Sequence, residues 1–248
     1  MKKNIIFKNI IVIVSLILGV LFLYLGFKDY QYILKSKYKN ETIREMVIND
    51  SNDPLNRRID FKKLKSENKD IVAWIYISGT SIDYPIVIGE NDEEYLYKDI
   101  EGNYSPLGSI FTYTNTKKDF SDSHVKIFGH NMKEFQMFGE LRKFLNVDYM
   151  EEHKKFYVYT DRKTIECDIV SIFTCNENDS IFGNDSRGID FLTTLAERNV
   201  NSNYDLLNNM EKLSDSQVFS LVTCNGVEGT TERLLINGVT VKEKILFN

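Results

Sequence analysis

The stretch IVAWIYISGTSIDYPIVI, residues 71–88, is where the chain turns into a β protein. Two apolar runs rich in β-branched and aromatic residues flank the polar turn Ser78–Ser81, the pattern of two strands joined by a short loop. Pro85 has no N–H to give to a ladder, so the second run is expected at an edge or beside a bulge. Downstream the pattern returns in GSIFTY (108–113), HVKIFG (124–129), KFYVYT (155–160), TIECDIVSIFT (164–174), QVFSLVT (217–223) and RLLINGVTV (233–241). Helical segments interrupt these runs. NDEEYLYKDI (91–100) predicts a short helix, and KEFQMFGELRKFL (133–145) another, with apolar residues at 135, 138, 141, 144 and 145. RGIDFLTTLAERNV (187–200) predicts a third. About eight strands with helical insertions describe a mainly β chain, α+β by content, forming one barrel or sandwich.

Upstream of residue 71 the character changes. IDFKKLKSENKD supports one short helix at most, and SNDPLNRR (51–58) is a break punctuated by Pro54. Residues 28–50 place apolar side chains at helical spacing among many charges, suiting a juxtamembrane helix or a pair of them. IIVIVSLILGVLFLYLGF, residues 10–27, is an uncharged run of 18 residues, close to the minimum that crosses a bilayer core. Lys2, Lys3 and Lys8 precede it, which holds the N-terminus in the cytoplasm and sends the rest outside. A cleaved signal peptide would carry a shorter apolar core and a small-x-small site, and FLYLGFKDYQY supplies neither. Continuous apolarity with no polar stripe also argues against a buried core helix. The expected organisation is a basic tail (1–9), a transmembrane signal anchor (10–27), a juxtamembrane helical segment and linker (28–58), and a mainly β domain (59–248).

Composition narrows the function. The net charge of the 248 residues is −5, and the part beyond the three anchor-proximal lysines carries −8. No clustered basic run offers to neutralise a nucleic-acid backbone, and no glycine-rich phosphate loop occurs. Cys167, Cys175 and Cys224 make an odd number, so at least one thiol is free in an exported domain. Cys167 and Cys175 lie in an apolar run, as buried cysteines do, and a bridge between them stays open at this level. Metal ligation needs close pairs such as C-x-x-C or H-x-x-x-H, and the chain has none, so no metal and no cofactor are expected.

Among three histidines, His153 sits among charges and reads as solvated, while His124 starts a strand and reads as surface. His130 ends the apolar run VKIFG, where a side chain projects into a cleft. Cys224 and Arg233 stand at facing ends of two strand runs in FSLVTCNGVEGTTERLLING, residues 219–238. Nucleophilic cysteine chemistry needs a thiolate, a proton donor for the leaving group and a stabiliser of the oxyanion. Cys224, His130 and Arg233 supply those three in turn; arginine stays charged and cannot serve as the base. The plain alternative for Arg233 is a surface pair with Glu232 or Glu228.

The segment VTC…TTER (222–233) resembles the TLxTC…R signature of sortases, and FGHNM (128–132) with the following QMFGELRKFL resembles the histidine segment and helix of their class B. The similarity extends through DIVAWIYISGTSIDYPIVIG (70–89), EEYL (93–96) and GSIF (108–111), covering roughly residues 60–241. Ser220–Leu221 stands where Thr-Leu is usual, and Val222 where class B enzymes often have serine. The resemblance implies a closed eight-stranded sortase-type β-barrel with N-terminal helices, one helix inserted between the sixth and seventh strands, and a preceding transmembrane helix. It implies a membrane-anchored cysteine transpeptidase of Gram-positive bacteria whose partners are secreted proteins with a C-terminal sorting motif and a peptidoglycan amine. Catalytic roles fall to His130, Cys224 and Arg233, and substrate-binding positions to Leu96, Ile181, Phe182 and Thr223. Two other classes were weighed against it. L,D-transpeptidases carry an SHGC-like segment that SLVTCNG is not, and papain-like wall peptidases place cysteine before histidine. A non-catalytic membrane-anchored binding module would have no need of all three site residues.

Overall fold

A computed structural model of the chain describes residues 2–45, 47–48, 52–132, 134, 136–183, 188–224 and 230–246. It begins with one continuous helix, α1 (Lys2–Arg44), long and apolar enough near the N-terminus to cross a membrane. Juxtamembrane residues therefore continue the apolar helix instead of forming a separate one. The far end of α1 is tied to the body: Ile43 is fully buried, Ser36 Oγ donates to Ser105 Oγ at 2.7 Å, and Arg44 Nε donates to the Asp83 carbonyl at 2.8 Å. Two-residue strands β1 (Val47–Ile48) and β2 (Arg58–Ile59) then pair, a detail too short to show in sequence. Helix α2 (Phe61–Glu67) follows, capped by Asp60, whose carboxylate accepts from Lys63 N at 2.9 Å.

Eight strands close into a barrel: β3 (Ile71–Tyr76), β4 (Asp83–Val87), β5 (Ile110–Thr112), β6 (His124–Phe128), β7 (Lys155–Tyr159), β8 (Lys163–Asn176), β9 (Val218–Cys224) and β10 (Glu232–Ile245). Their order around the barrel is β10-β8-β7-β3-β4-β5-β6-β9, with parallel pairing at β4–β5 and β6–β9 and antiparallel pairing elsewhere. Pro85 pairs with Trp74 on one side, while the β4–β5 ladder starts only at Ile86, so its missing N–H leaves no gap. Alternation sorts the side chains. Phe219, Leu221, Leu234 and Ile236 fill the barrel interior, whereas Val222 and Leu235 face out. Gly238 sits at a bulge of β10 against the Phe156 ring, where an added Cβ would lie 2.4 Å from Phe156 Cε1.

The outer face of β8, β9 and β10 is roofed by α4 (Gly188–Arg198) and α5 (Leu206–Leu213), both between the sixth and seventh barrel strands; the short α3 (Val147–Glu152) lies before β7. The sequence reading expected one helix between those strands. The second was hidden in LLNNMEKL, whose only signals are Leu206, Met210 and Leu213 on one side and Asp205 as the cap. The run KEFQMFGELRKFL is not an α-helix. Lys133 and Phe135 lie outside the described residues, and Gly139–Leu145 is a 3₁₀ helix leading into α3. From its N-cap onward the fully buried apolar side chains Phe138, Leu141 and Phe144 recur every third position, which matches the three-residue turn of a 3₁₀ helix. NDEEYLYKDI likewise holds only a 3₁₀ turn, Glu94–Leu96.

One histidine reading is corrected. His153, half-exposed at the C-cap of α3, has Nδ1 3.0 Å from the Ser78 carbonyl oxygen and its ring 4.4 Å from that of Tyr149. His124 is not a surface residue: its ring lies 4.9 Å from Phe191 of α4, and Nε2 is 2.8 Å from Ser220 Oγ. The open question of a Cys167–Cys175 bridge is also answered. Both are free thiols, Cys167 in the barrel interior and Cys175 packed under the outer helices.

Candidate active site

Strand register builds the site. Antiparallel pairing of β9 with β10 sets Arg233 opposite Cys224, and pairing of β10 with β8 sets the same arginine opposite Cys175. On the other side, parallel pairing joins Lys126 to Ser220 and Phe128 to Val222, and Gly129 N donates to the Val222 carbonyl at 3.1 Å. Carried on by two residues, that register puts His130 beside Cys224. His130, Cys224 and Arg233 thus form one row across three adjacent strands spaced about 4.8 Å apart. Strand alternation turns this row to the outside of the barrel, on the face of Val222 and Leu235.

Each member of the row is held. His130 Nε2 lies 2.6 Å from the Leu96 carbonyl oxygen. A carbonyl only accepts, so Nε2 carries the proton and Nδ1 is left for exchange. The ring stacks at a tilt against Tyr97, with centroids 5.5 Å apart, and Phe138 N donates to the His130 carbonyl at 3.0 Å. Gly108 closes this corner at φ +59°. A Cβ there would lie 2.4 Å from the Leu96 carbonyl oxygen and 3.1 Å from His130 Cδ2. Arg233 donates to the carbonyls of Thr230 and Glu232 and forms an ion pair with Glu177, just past the end of β8. Glu177 N in turn donates to the Thr231 carbonyl at 2.7 Å, so carboxylate and guanidinium are fixed from the same strand pair. Cys224, the last residue of β9, is half-buried.

The positions expected to line a groove are distributed unevenly. Leu96 is half-buried and contributes its carbonyl to His130. Ile181 and Phe182 form a 3₁₀ turn capped by Asp179, whose carboxylate accepts from Ile181 N at 3.0 Å and pairs with Arg198 at 2.8 Å. Both belong to the outer-face cluster that also contains Phe128, Val222 and Cys175. Thr223 alternates to the interior side, is 2% exposed, and its Oγ1 is buried without a partner, so only its backbone reaches the outer face. Residues 225–229, including Glu228, lie outside the described residues.

Three neighbours were missed in sequence. Glu177 holds Arg233, Tyr97 covers His130, and Lys126 lies on the row's own face, 6% exposed, with Nζ donating to the Gly183 carbonyl at 2.8 Å. Glu177 and Arg233 are far apart in sequence, and only the β8–β10 register brings them together. Two of the thiols are set apart by burial. Burial pushes Cys167 far up and Cys175 up to about 11, so neither offers a thiolate near neutrality.

Comparison with known proteins gives one coherent result. A family model described as the Sortase domain matches residues 75–241. Sortase B of Listeria monocytogenes is 27% identical over 189 residues, covering 74% of this chain and 75% of that protein. Sortase B of Staphylococcus aureus is 25% identical over 247 residues, covering 95% and 98%. Among solved structures, the Staphylococcus aureus sortase B–substrate complex superposes with a TM-score of 0.65 at 25% identity, over 73% of this chain and 84% of that one.

Proposed function

The chain belongs to the sortase family, and on that premise we propose that it is a class B cysteine transpeptidase acting at the cell surface through the row His130, Cys224 and Arg233. The observation that carries this reading is the register that aligns those three residues on one outward face. The enzyme takes a secreted protein with a C-terminal sorting motif. His130 Nδ1 takes the Cys224 thiol proton, Cys224 Sγ attacks the carbonyl carbon of the motif's threonine, a C–S bond forms, and the C–N bond to the next residue breaks. His130 gives a proton to the leaving amine. An incoming peptidoglycan amine then attacks the thioester, His130 takes its proton, and the thiolate leaves. Acyl activation passes from amide to thioester, so the cycle consumes no nucleotide and uses no metal.

Arg233 suits the oxyanion because its guanidinium has five N–H donors. It stays tied to Glu177 and the Thr230 carbonyl while presenting the rest to a substrate carbonyl. Ile181 and Phe182 offer an apolar wall for the peptide, with Leu96 on the His130 side. The apolar run 10–27 anchors the enzyme in the membrane with its N-terminus in the cytoplasm and residues 59–248 outside, the side where both substrates are found.

The test is cleavage of quenched pentapeptides with threonine at the fourth position by the full chain in detergent, with mass spectrometry locating the cut. Cleavage after threonine that Cys224→Ala abolishes is the expected result. Cleavage that survives Cys224→Ala, or a cut elsewhere, would overturn the assignment.

A further inference from the structure

The end of the barrel remote from Cys224 holds a second feature that the transpeptidase chemistry does not use. A cleft of about 600 Å³ opens there between the start of β3, the segment leading into β6 and the turn joining β7 to β8. The site row lies at the opposite ends of β6, β9 and β8, so the two share no residue. Five cationic side chains line the cleft: Lys65, Lys69, Lys117, Lys118 and Arg162. Its floor is apolar, from Ile71 and Val72, and its only acids are Asp119 and Asp161.

Asp161 is already taken, paired with Lys65 at 2.8 Å, and Asp119 accepts from Ser121 N at 3.1 Å. Among the described residues, Lys69, Lys117, Lys118 and Arg162 form no ion pair with any carboxylate. Beyond its anchor-proximal lysines the chain carries −8, so acids are plentiful, yet among the described residues five cations and only two acids line this concavity. Such a cleft focuses a positive field, and a guanidinium among ammonium groups suits oxygens spread around phosphorus.

We propose that this cleft binds a soluble phosphodiester polyanion, with Lys117, Lys118 and Arg162 engaging its phosphate oxygens. The volume holds more than one phosphate unit. The choice of a soluble polymer over a lipid headgroup rests on the membrane reading above. Lys39 of α1 bonds Glu67 of α2, the helix that also carries Lys65, at 3.1 Å. Lys39 lies about 18 Å along α1 beyond the apolar run, at 1.5 Å per residue. A headgroup layer is only about 5–8 Å deep. The cleft therefore stands clear of the lipid surface, in the zone a polymer occupies.

The experiment uses the full chain in zwitterionic nanodiscs, titrated with a fluorescently labelled synthetic glycerol-phosphate oligomer and followed by anisotropy. Saturable binding at low salt is expected, weakening as salt rises. The variant Lys117→Glu/Lys118→Glu should weaken it at least tenfold, and Arg162→Gln severalfold, while Lys212→Glu on the exposed side of α5 leaves it unchanged. Trp74, the sole tryptophan and fully buried, reports by its emission that each variant is folded. Absence of binding at low salt, or binding indifferent to the Lys117/Lys118 reversal, would overturn the proposal. Binding seen only in nanodiscs containing an anionic lipid would overturn it as well, because the ligand would then be the headgroup.

Discussion

Two rows of the same three strands make a natural comparison. Lys126, Ser220 and Asn237 occupy one row of β6, β9 and β10, and His130, Cys224 and Arg233 occupy the row two steps further on, on the same face. The first row is covered and saturated. Ser220 Oγ donates to Asn237 Oδ1 at 2.5 Å, Asn237 Nδ2 donates to the Ser171 carbonyl at 3.3 Å, and Lys126 Nζ bonds the Gly183 carbonyl. The hydroxyl has given its one hydrogen to Asn237, so His124 Nε2 donates to Ser220 Oγ, and its Nδ1 is buried without a partner. Burial accordingly drives the His124 pKa down to about 3. The second row lies past the cover, with its thiol and guanidinium half-exposed. Identical backbone geometry thus serves stability in one row and, in the mechanism proposed above, chemistry in the next. The cover of α4 and the 180–183 turn decides which.

The sharpest way to break the comparison is to exchange the two failures. Cys224→Ala should cut turnover of a sorting peptide by at least about 10³-fold and leave the thermal midpoint within a degree or two. Arg233→Ala should cost about 10²–10³-fold in kcat/KM, the scale of a lost oxyanion donor; Arg233→Lys should recover little, since one ammonium cannot hold both Glu177 and the substrate. Glu177→Gln keeps the shape but removes the charge that aims Arg233, and about a tenfold loss, mostly in kcat, is expected. In the covered row, Ser220→Ala should do the reverse of Cys224→Ala: denaturant melts should show a loss of about 1–3 kcal/mol, with kcat/KM within about threefold of wild type.

A further expected effect is a pH dependence. His124 titrates lower in the folded than in the unfolded chain, so its contribution is present above the unfolded value near ~6.5 and is lost as pH falls toward about 3. Stability should decline by at most ~1.4 kcal/mol per pH unit through this window, and His124→Gln should flatten the part between pH ~6.5 and ~5, above most carboxylates. A slope that persists in His124→Gln would assign the effect to another group.

How much of this was legible in sequence follows from range. All eight barrel strands were read, because an apolar run declares itself within a handful of residues. The proposed nucleophile, histidine and arginine were legible as candidates because each stands at one end of such a run. Helix type was not, since Phe138, Leu141 and Phe144 fit an α-helical stripe nearly as well as a 3₁₀ one. The fate of His124 was hidden because its partners Ser220 and Phe191 come from β9 and α4. Glu177 was hidden for the same reason: the plain alternative for Arg233 named only Glu232 and Glu228, near it in sequence. The pairing with Glu177 depends instead on the β8–β10 register, which contains a bulge at Asn237/Gly238 that no local pattern announces.

The measurement that bears most directly on the account is the intact mass of the full chain mixed with a cleavable sorting peptide and quenched in acid. The account predicts an adduct equal to the peptide up to and including its threonine, mapped by digestion to Cys224, removed by hydroxylamine and absent in Cys224→Ala. An adduct on Cys175, or cleavage with no adduct on any cysteine when turnover is slowed by Arg233→Ala, would contradict it.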